Sequence, residues 1–170
     1  MIKICGIEKE SIVDGTGLRY VVFAQGCPHK CVGCHNPESH CFDSGKYKMI
    51  DEILNDIKRN PLLKGVTFSG GEPFEQANSF IKLSNEIKAF NKERGLNLDI
   101  WCFTGYKAEE IVNSKDKAKL ELLKSVDILV DGKFDLNLRT IEKPFVGSSN
   151  QRIIDINKSN FNNFVLWNDL

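Results

Sequence analysis

The sequence predicts an α/β protein whose largely parallel sheet folds as a partial, laterally open (β/α) barrel. Apolar strand patterns alternate with amphipathic helix patterns, which is typical of parallel strands joined by helical crossovers. Chemically distinctive residues also fall at the C-terminal ends of the predicted strands, where (β/α) barrels place their active sites: Cys27, Gly70, Thr104 and Asp131. Too few strands are evident for a closed barrel of eight, so we expect an open one.

The predicted elements follow in order along the chain. A turn with two glycines at 14–17 precedes the first strand, at 18–23. Apolar residues at helical spacing predict a helix over 49–59, and a short apolar strand follows over 65–69. The remaining elements are a helix over 74–93 ended by Gly95, a strand over 96–103, a helical region over 107–124 interrupted near Asn113, and a strand over 126–130.

Length and composition indicate one globular domain over residues 1–170. Lys and Arg together number 23, as do Asp and Glu, so the formal net charge is zero and gives no reason to expect nucleic acid or an anionic membrane as partner. No apolar run approaches the roughly 20 residues of a membrane span, and no signal-peptide core follows the N-terminus. We therefore expect a cytoplasmic protein.

Three of the six cysteines, Cys27, Cys31 and Cys34, form the pattern CxxxCxxC in a loop after the first strand. Their clustering disfavours a disulfide framework and favours reduced thiols that bind a metal. Closed zinc sites and iron–sulfur clusters usually take four protein ligands, so three thiolates leave one metal position open for a substrate or cofactor. The other cysteines have no matching spacing and are predicted to be incidental thiols: Cys5, Cys41 and Cys102.

Histidines beside the cysteines and a glycine-rich turn downstream leave two interpretations of this loop. Because His29, His35 and His40 lie near the thiolates, a Cys₃His zinc site in a binding module is one alternative. Gly-Gly-Glu-Pro at 70–73 directly follows the strand at 65–69. Paired glycines let backbone approach a ligand closely, and a carboxylate accepts hydrogen bonds from an ammonium group. Alone, the same turn is also typical of a plain helix start.

Together, CxxxCxxC and Gly-Gly-Glu-Pro resemble the two motifs of the radical S-adenosylmethionine (radical SAM) enzymes. The resemblance implies a partial barrel of the radical SAM type and a [4Fe–4S] cluster bound by Cys27, Cys31 and Cys34, with SAM chelating the fourth iron. It also implies that a reduced cluster cleaves SAM to methionine and a 5′-deoxyadenosyl radical.

The same resemblance implies which residues contact SAM. Gly33 stands where the family usually has a bulky residue, so contacts there would come from the backbone. The residues expected to bind SAM are Gly33, Cys34 and His35 near the cluster, Gly70, Gly71 and Glu72 at its amino group, and Thr104. Asp131 and Lys133 are weaker candidates on the same face, and a surface salt bridge is an equal alternative for Lys133.

Further segments resemble one subfamily, the activating proteins of anaerobic ribonucleoside-triphosphate reductases. Asp-Gly-x-Gly-x-Arg at 14–19 is similar to the entry segment of activating enzymes, with Thr16 where they commonly have proline; the segments 104–106, 130–134 and 147–151 resemble the reductase activators. The resemblance covers about residues 10–155 and leaves 157–170 unassigned. It implies a glycyl radical generated on the large subunit of the reductase, with an electron donor such as reduced flavodoxin.

Two other radical SAM interpretations remain open beside this one. The segment following the third cysteine also resembles activators of pyruvate formate-lyase. A small-molecule enzyme of the deazapurine synthase type is the second alternative.

Overall fold

The computed structural model describes residues 1–168, and their strands form one mixed sheet with the order β3-β1-β2-β4-β5-β6-β7-β8. The strands are β1 (Ile2–Ser11), β2 (Arg19–Ala24), β3 (Lys46–Lys48), β4 (Gly65–Gly70), β5 (Asp99–Phe103), β6 (Ile128–Asp131), β7 (Arg152–Asn160) and β8 (Asn163–Leu166). The α-helices are α1 (Ile50–Arg59), α2 (Ala77–Arg94), α3 (Ala108–Asn113) and α4 (Lys117–Ser125).

Four neighbouring strands at the centre of the sheet, β2, β4, β5 and β6, run parallel. In chain order α1 precedes β4, α2 lies between β4 and β5, and α3 and α4 lie between β5 and β6. This confirms the predicted alternation of strand and helix. Because parallel strands end at the same edge of a sheet, the cysteine loop, the Gly-Gly-Glu-Pro turn and the turn after β5 meet there.

The predicted parallel sheet is wrong for the flanking strands, because β1, β3, β7 and β8 all pair antiparallel. The expectation of fewer than eight strands was also wrong in number, although the sheet is open, with β3 at one edge and β8 at the other. These strands escaped prediction because β3 and β8 are very short, and because β1 and β7 each mix buried, half-buried and exposed residues without a regular apolar pattern.

The two faces of the sheet are covered differently. The outer face packs its aliphatic side chains against the helices and forms the larger core, which includes Val22, Phe68, Cys102 and Leu129. The inner face carries a smaller core of Trp101, Ile128 and Val130, against which Phe103, Phe145, Val146, Ile153 and Trp167 pack.

Two predicted boundaries shift for local reasons. Helix α2 begins at Ala77 because Pro73–Gln76 forms a separate 3-10 turn, in which the Glu72 carboxylate accepts from the Phe74 amide. Strand β5 begins only at Asp99, and Leu96 is solvent-exposed. The alternation of apolar and other residues over 96–103 does not separate a buried face from an exposed one, because both faces of β5 are buried.

The stretch 157–170, which the sequence left unassigned, packs on the sheet as far as the structure describes it. It contains the end of β7, all of β8 and Trp167, whose ring lies 5.4 Å from that of Trp101 and 6.4 Å from that of Phe145. Residues 169–170 lie outside the described residues. No helix within 1–168 has the length and apolar character needed to cross a membrane.

Candidate cofactor site

A cavity of about 460 Å³ lies at the C-terminal ends of the parallel strands. Loops after β2, β4, β5 and β6 contribute to its wall, which explains how residues far apart in sequence reach one place. Of the residues predicted from sequence, the structure brings seven to this wall: Cys27, Cys31, Cys34, His35, Gly70, Gly71 and Thr104.

The three cysteines of the loop carry free thiols. Burial raises the pKa of the Cys27 and Cys31 thiols and is the largest influence on both pKa values. The Asn36 amide donates to the Cys34 sulfur at 3.4 Å. Within residues 1–168 no three His, Cys, Asp or Glu side chains converge closely enough to hold a single metal ion. The thiols thus line a shared cavity without meeting at one point.

Gly70 and Gly71 form a stretch of bare backbone opposite the cysteines. Gly70 has a φ of +94°, and a Cβ atom there would lie 2.6 Å from the backbone of β2. The Gly71 amide donates to the Ala24 carbonyl at 2.7 Å. Any side chain at residue 70 would push β4 and β2 apart, so glycine is required by both conformation and space.

Glu72 follows this backbone but is wholly buried and does not contribute to the cavity wall. Its carboxylate accepts from the Thr104 hydroxyl at 2.9 Å, the Gly105 amide at 2.9 Å and the Phe74 amide at 3.1 Å. The His29 ring nitrogen Nε2 lies 2.8 Å from it. The contact of Glu72 with the amino group of SAM stays a prediction.

The structure places the other candidates outside the cavity wall. Gly33, with a φ of +75°, lies beside Leu136 and Phe134. Asp131 accepts from the Ala108 amide at the start of α3 and pairs with Arg152, so its carboxylate is occupied within the protein. Lys133 lines a smaller cavity of about 280 Å³ together with His29, Tyr106 and Lys119.

The loop between β6 and β7 also lines the cavity, with the Phe134 ring 5.3 Å from that of His35, and of this loop the sequence predicted only Lys133, as a weak candidate. It contributes Phe134, Phe145, Val146 and Gly147 to the wall. Gln151 organises it by accepting from the Gly147 amide at 2.8 Å and donating to the Gly132 carbonyl at 3.0 Å. One signal in the sequence could have identified this loop: segments 130–134 and 147–151 both resemble the reductase activators. In the structure these two segments are hydrogen-bonded to each other.

The chain matches the family model of the 4Fe-4S single cluster domain over residues 13–154. It is 37% identical over 144 residues to the anaerobic ribonucleoside-triphosphate reductase-activating protein of Enterobacteria phage T4, with 83% of this chain and 86% of that protein covered. The identically named protein of Escherichia coli K12 is 35% identical over 146 residues, covering 82% and 90%. The Haemophilus influenzae protein is 33% identical over 148 residues, covering 84% and 90%.

The chain belongs to the family of anaerobic ribonucleoside-triphosphate reductase-activating proteins. The family model describes a 4Fe-4S cluster, and cysteine thiolates are the ligands that such clusters take in proteins. In this chain the cavity wall offers three of them beside the backbone of Gly70 and Gly71. The three thiols therefore fit an iron–sulfur cluster as donors.

Proposed function

We propose that this chain activates an anaerobic ribonucleoside-triphosphate reductase by generating a glycyl radical on its large subunit. The observation that carries the proposal is the single cavity shared by the three thiols of CxxxCxxC and the bare backbone of Gly70 and Gly71. The name carried by the relatives from the phage and the two bacteria supports the choice of partner. The open α/β sheet supports a partial barrel of the radical SAM type.

The residues at the cavity divide into those for the cluster and those for SAM. Cys27, Cys31 and Cys34 would bind three irons of a [4Fe–4S] cluster. Of the SAM contacts that the sequence predicts, Cys34, His35, Gly70, Gly71 and Thr104 line this cavity, whereas Gly33 and Glu72 do not, and their contact with SAM stays a prediction. When bound, the cofactors supply one-electron reductive cleavage of SAM to methionine and a 5′-deoxyadenosyl radical, the electron coming from a donor such as reduced flavodoxin.

The protein's own part in this chemistry is to fix and enclose the reactants. Gly70 and Gly71 bring main chain without side chains to the cavity wall, and main-chain carbonyls can accept from an ammonium group. Phe103, Phe145 and Val146 make the far wall apolar, which limits water near a reactive radical. A volume of about 460 Å³ is within the usual range for a small-molecule site.

The cavity also reaches the protein surface. Val13 lines the cavity and is 71% exposed, in the loop between β1 and β2. A loop of a large protein therefore has a route to the site, as a macromolecular substrate requires. A radical formed here must be used within contact distance, so activator and reductase are expected to form a complex.

The partner is tested by presenting two candidate enzymes to the same activator. The anaerobically reconstituted chain, with SAM and reduced flavodoxin, is incubated separately with the reductase large subunit and with pyruvate formate-lyase. Electron paramagnetic resonance then records the glycyl-radical doublet. We expect the doublet on the reductase, and Cys31→Ala serves as the inactive control.

Two outcomes would contradict the proposal in different ways. A doublet on formate-lyase and none on the reductase would reject the partner but keep the radical chemistry. Release of 5′-deoxyadenosine without a protein radical would indicate a small-molecule substrate. A colourless protein that binds one zinc ion and no iron would reject the radical chemistry itself.

A further inference from the structure

The Glu72 carboxylate is saturated by donors from three separate parts of the chain. One oxygen, Oε2, lies 2.8 Å from His29 Nε2 and 2.9 Å from the Gly105 amide nitrogen. The other, Oε1, accepts from the Phe74 amide at 3.1 Å, and the Thr104 hydroxyl lies 2.9 Å from both oxygens. A carboxylate has about four acceptor positions, so little capacity is left for a ligand.

His29 reaches Glu72 from within the cysteine loop, midway between Cys27 and Cys31. Its side chain is 6% exposed, and its ring meets the Tyr106 ring edge-on, with the ring centres 4.5 Å apart. A Cβ atom at Gly105 would lie 2.3 Å from the His29 ring. The imidazole therefore occupies a fitted slot that exists only because residue 105 is glycine.

The cysteine loop needs such an attachment. Its backbone is tied to neighbouring segments at Gly26, which donates to Ser39, and at Cys27, which donates to His40. Further along, Pro28, Lys30 and Val32 are exposed, and Lys30 adopts a left-handed conformation with a φ of +48°. A non-glycine residue is strained in that region, so the loop keeps its shape only if contacts on both sides hold it.

We propose that His29 is a positioning residue that latches the cysteine loop to the ends of β4 and β5 through Glu72. On one side of this bond stand Cys27 and Cys31, and on the other stands the Gly70–Gly71 backbone. The latch therefore fixes the distance between the two walls of the cavity. The expected effect of His29 on SAM binding rests on the proposed function, whereas its expected effect on loop mobility does not.

Loop mobility is measured by amide hydrogen exchange at Cys27 and Cys34, whose amides donate to the His40 and Cys31 carbonyls, in the full-length, metal-free chain. His29→Ala should raise the exchange rate there by about tenfold or more, because the loop then opens locally without global unfolding. His29→Gln should restore most of the protection, since its amide nitrogen reaches the position of Nε2. Tyr106→Phe is the matched control, because it keeps the ring against His29 and removes only the hydroxyl bonded to Glu75 and Lys119.

The effect on the cofactors is measured on the reconstituted chain. His29→Ala should still bind iron but need about tenfold more SAM to change the electron paramagnetic resonance spectrum of the reduced cluster. Wild-type exchange and a wild-type SAM response in His29→Ala would overturn the latch. If the wild-type chain itself binds no iron or shows no response to SAM, the proposed function fails, while the exchange measurement still decides the latch.

Glu72→Gln separates the latch from a direct bond between Glu72 and the amino group of SAM. If Glu72 acts through His29, Glu72→Gln should raise amide exchange in the loop. The double variant His29→Ala with Glu72→Gln should then bind SAM no more weakly than the single variant that has the lower SAM affinity. Additive losses with an unchanged loop in Glu72→Gln would contradict the latch and assign Glu72 to SAM directly.

Discussion

At the scale of single residues, Arg19 belongs to a sequence motif but stabilises the fold around the site. It is the last residue of Asp-Gly-x-Gly-x-Arg and is fully buried. Its guanidinium donates to the Thr67 hydroxyl at 2.7 Å and the Thr16 carbonyl at 3.0 Å, and it pairs with Asp99 at 2.6 Å. It also lies over the Trp101 ring. These contacts join the loop at 14–17 to the inner face of the sheet.

We expect Arg19→Leu to lower the free energy of unfolding by about 3 kcal/mol, because Asp99 loses its partner and several buried acceptors lose their donor. Arg19→Lys should recover only part of this loss, since a lysine cannot reproduce the planar set of bonds. Urea denaturation measures both. Arg59→Leu is the control: its side chain is 80% exposed beside Asp56, so a change below about 0.5 kcal/mol is expected. Equal losses at residues 19 and 59 would contradict the framework role.

The cysteines are tested by replacing them one at a time. Cys27→Ala, Cys31→Ala and Cys34→Ala should each reduce the iron content after anaerobic reconstitution from about four per chain to below about one. Cys102→Ala should keep the iron, because Cys102 lies in the core on the outer face of the sheet. Iron and sulfide analysis decides this. Loss of iron in Cys102→Ala together with its retention in Cys31→Ala would show that the ligands are assigned wrongly.

At the scale of elements, the hairpin of β7 and β8 supports the floor of the cavity. Phe145, which lines the cavity, has a φ of +60°, an uncommon value for a residue with a side chain. Its ring contacts Trp101 at 5.3 Å and Trp167 at 6.4 Å, both edge-on. The aromatic cluster therefore holds a strained residue in the cavity wall, and the hairpin supplies one of its three rings.

We expect Trp167→Ala to weaken SAM binding by several-fold and to lower stability by about 2 kcal/mol, because Trp167 is only half-buried. The iron content should not change, since Trp167 itself does not line the cavity that the three cysteines share. A SAM titration of the reduced cluster and a denaturation curve provide the two values. Phe161→Ala, an exposed aromatic of the same hairpin, should leave both unchanged. A similar loss of SAM affinity in the two variants would contradict support by Trp167.

The elements also show what the sequence could predict. The four parallel strands and their helices were predictable because each is a buried apolar run or a clear amphipathic stripe. The antiparallel flanks were not, because β3 and β8 are too short to show a pattern, and the longer strands β1 and β7 mix buried and exposed residues irregularly. Similarly, the cysteine spacing and paired glycines are local signals, whereas the bond between His29 and Glu72 joins residues 43 positions apart and depends on the fold.

At the scale of the whole molecule, the open sheet and the surface route beside Val13 fit an enzyme whose substrate is another protein. The cavity holds the predicted cluster ligands on one wall and bare backbone on the other, and the loop between β6 and β7 closes it. Under the proposed function, the donor of the hydrogen atom that the 5′-deoxyadenosyl radical takes lies outside this chain. The central claim is therefore that this donor is a glycine of the reductase.

Transfer of deuterium tests that claim most directly. The reductase large subunit is prepared with glycine deuterated at its α-carbon and incubated anaerobically with the reconstituted chain, SAM and reduced flavodoxin. Mass spectrometry of the 5′-deoxyadenosine then reports where its new hydrogen came from. The account predicts one deuterium per 5′-deoxyadenosine, formed together with the glycyl-radical doublet. Unlabelled 5′-deoxyadenosine and no doublet, from a chain that binds its full complement of iron, would contradict it.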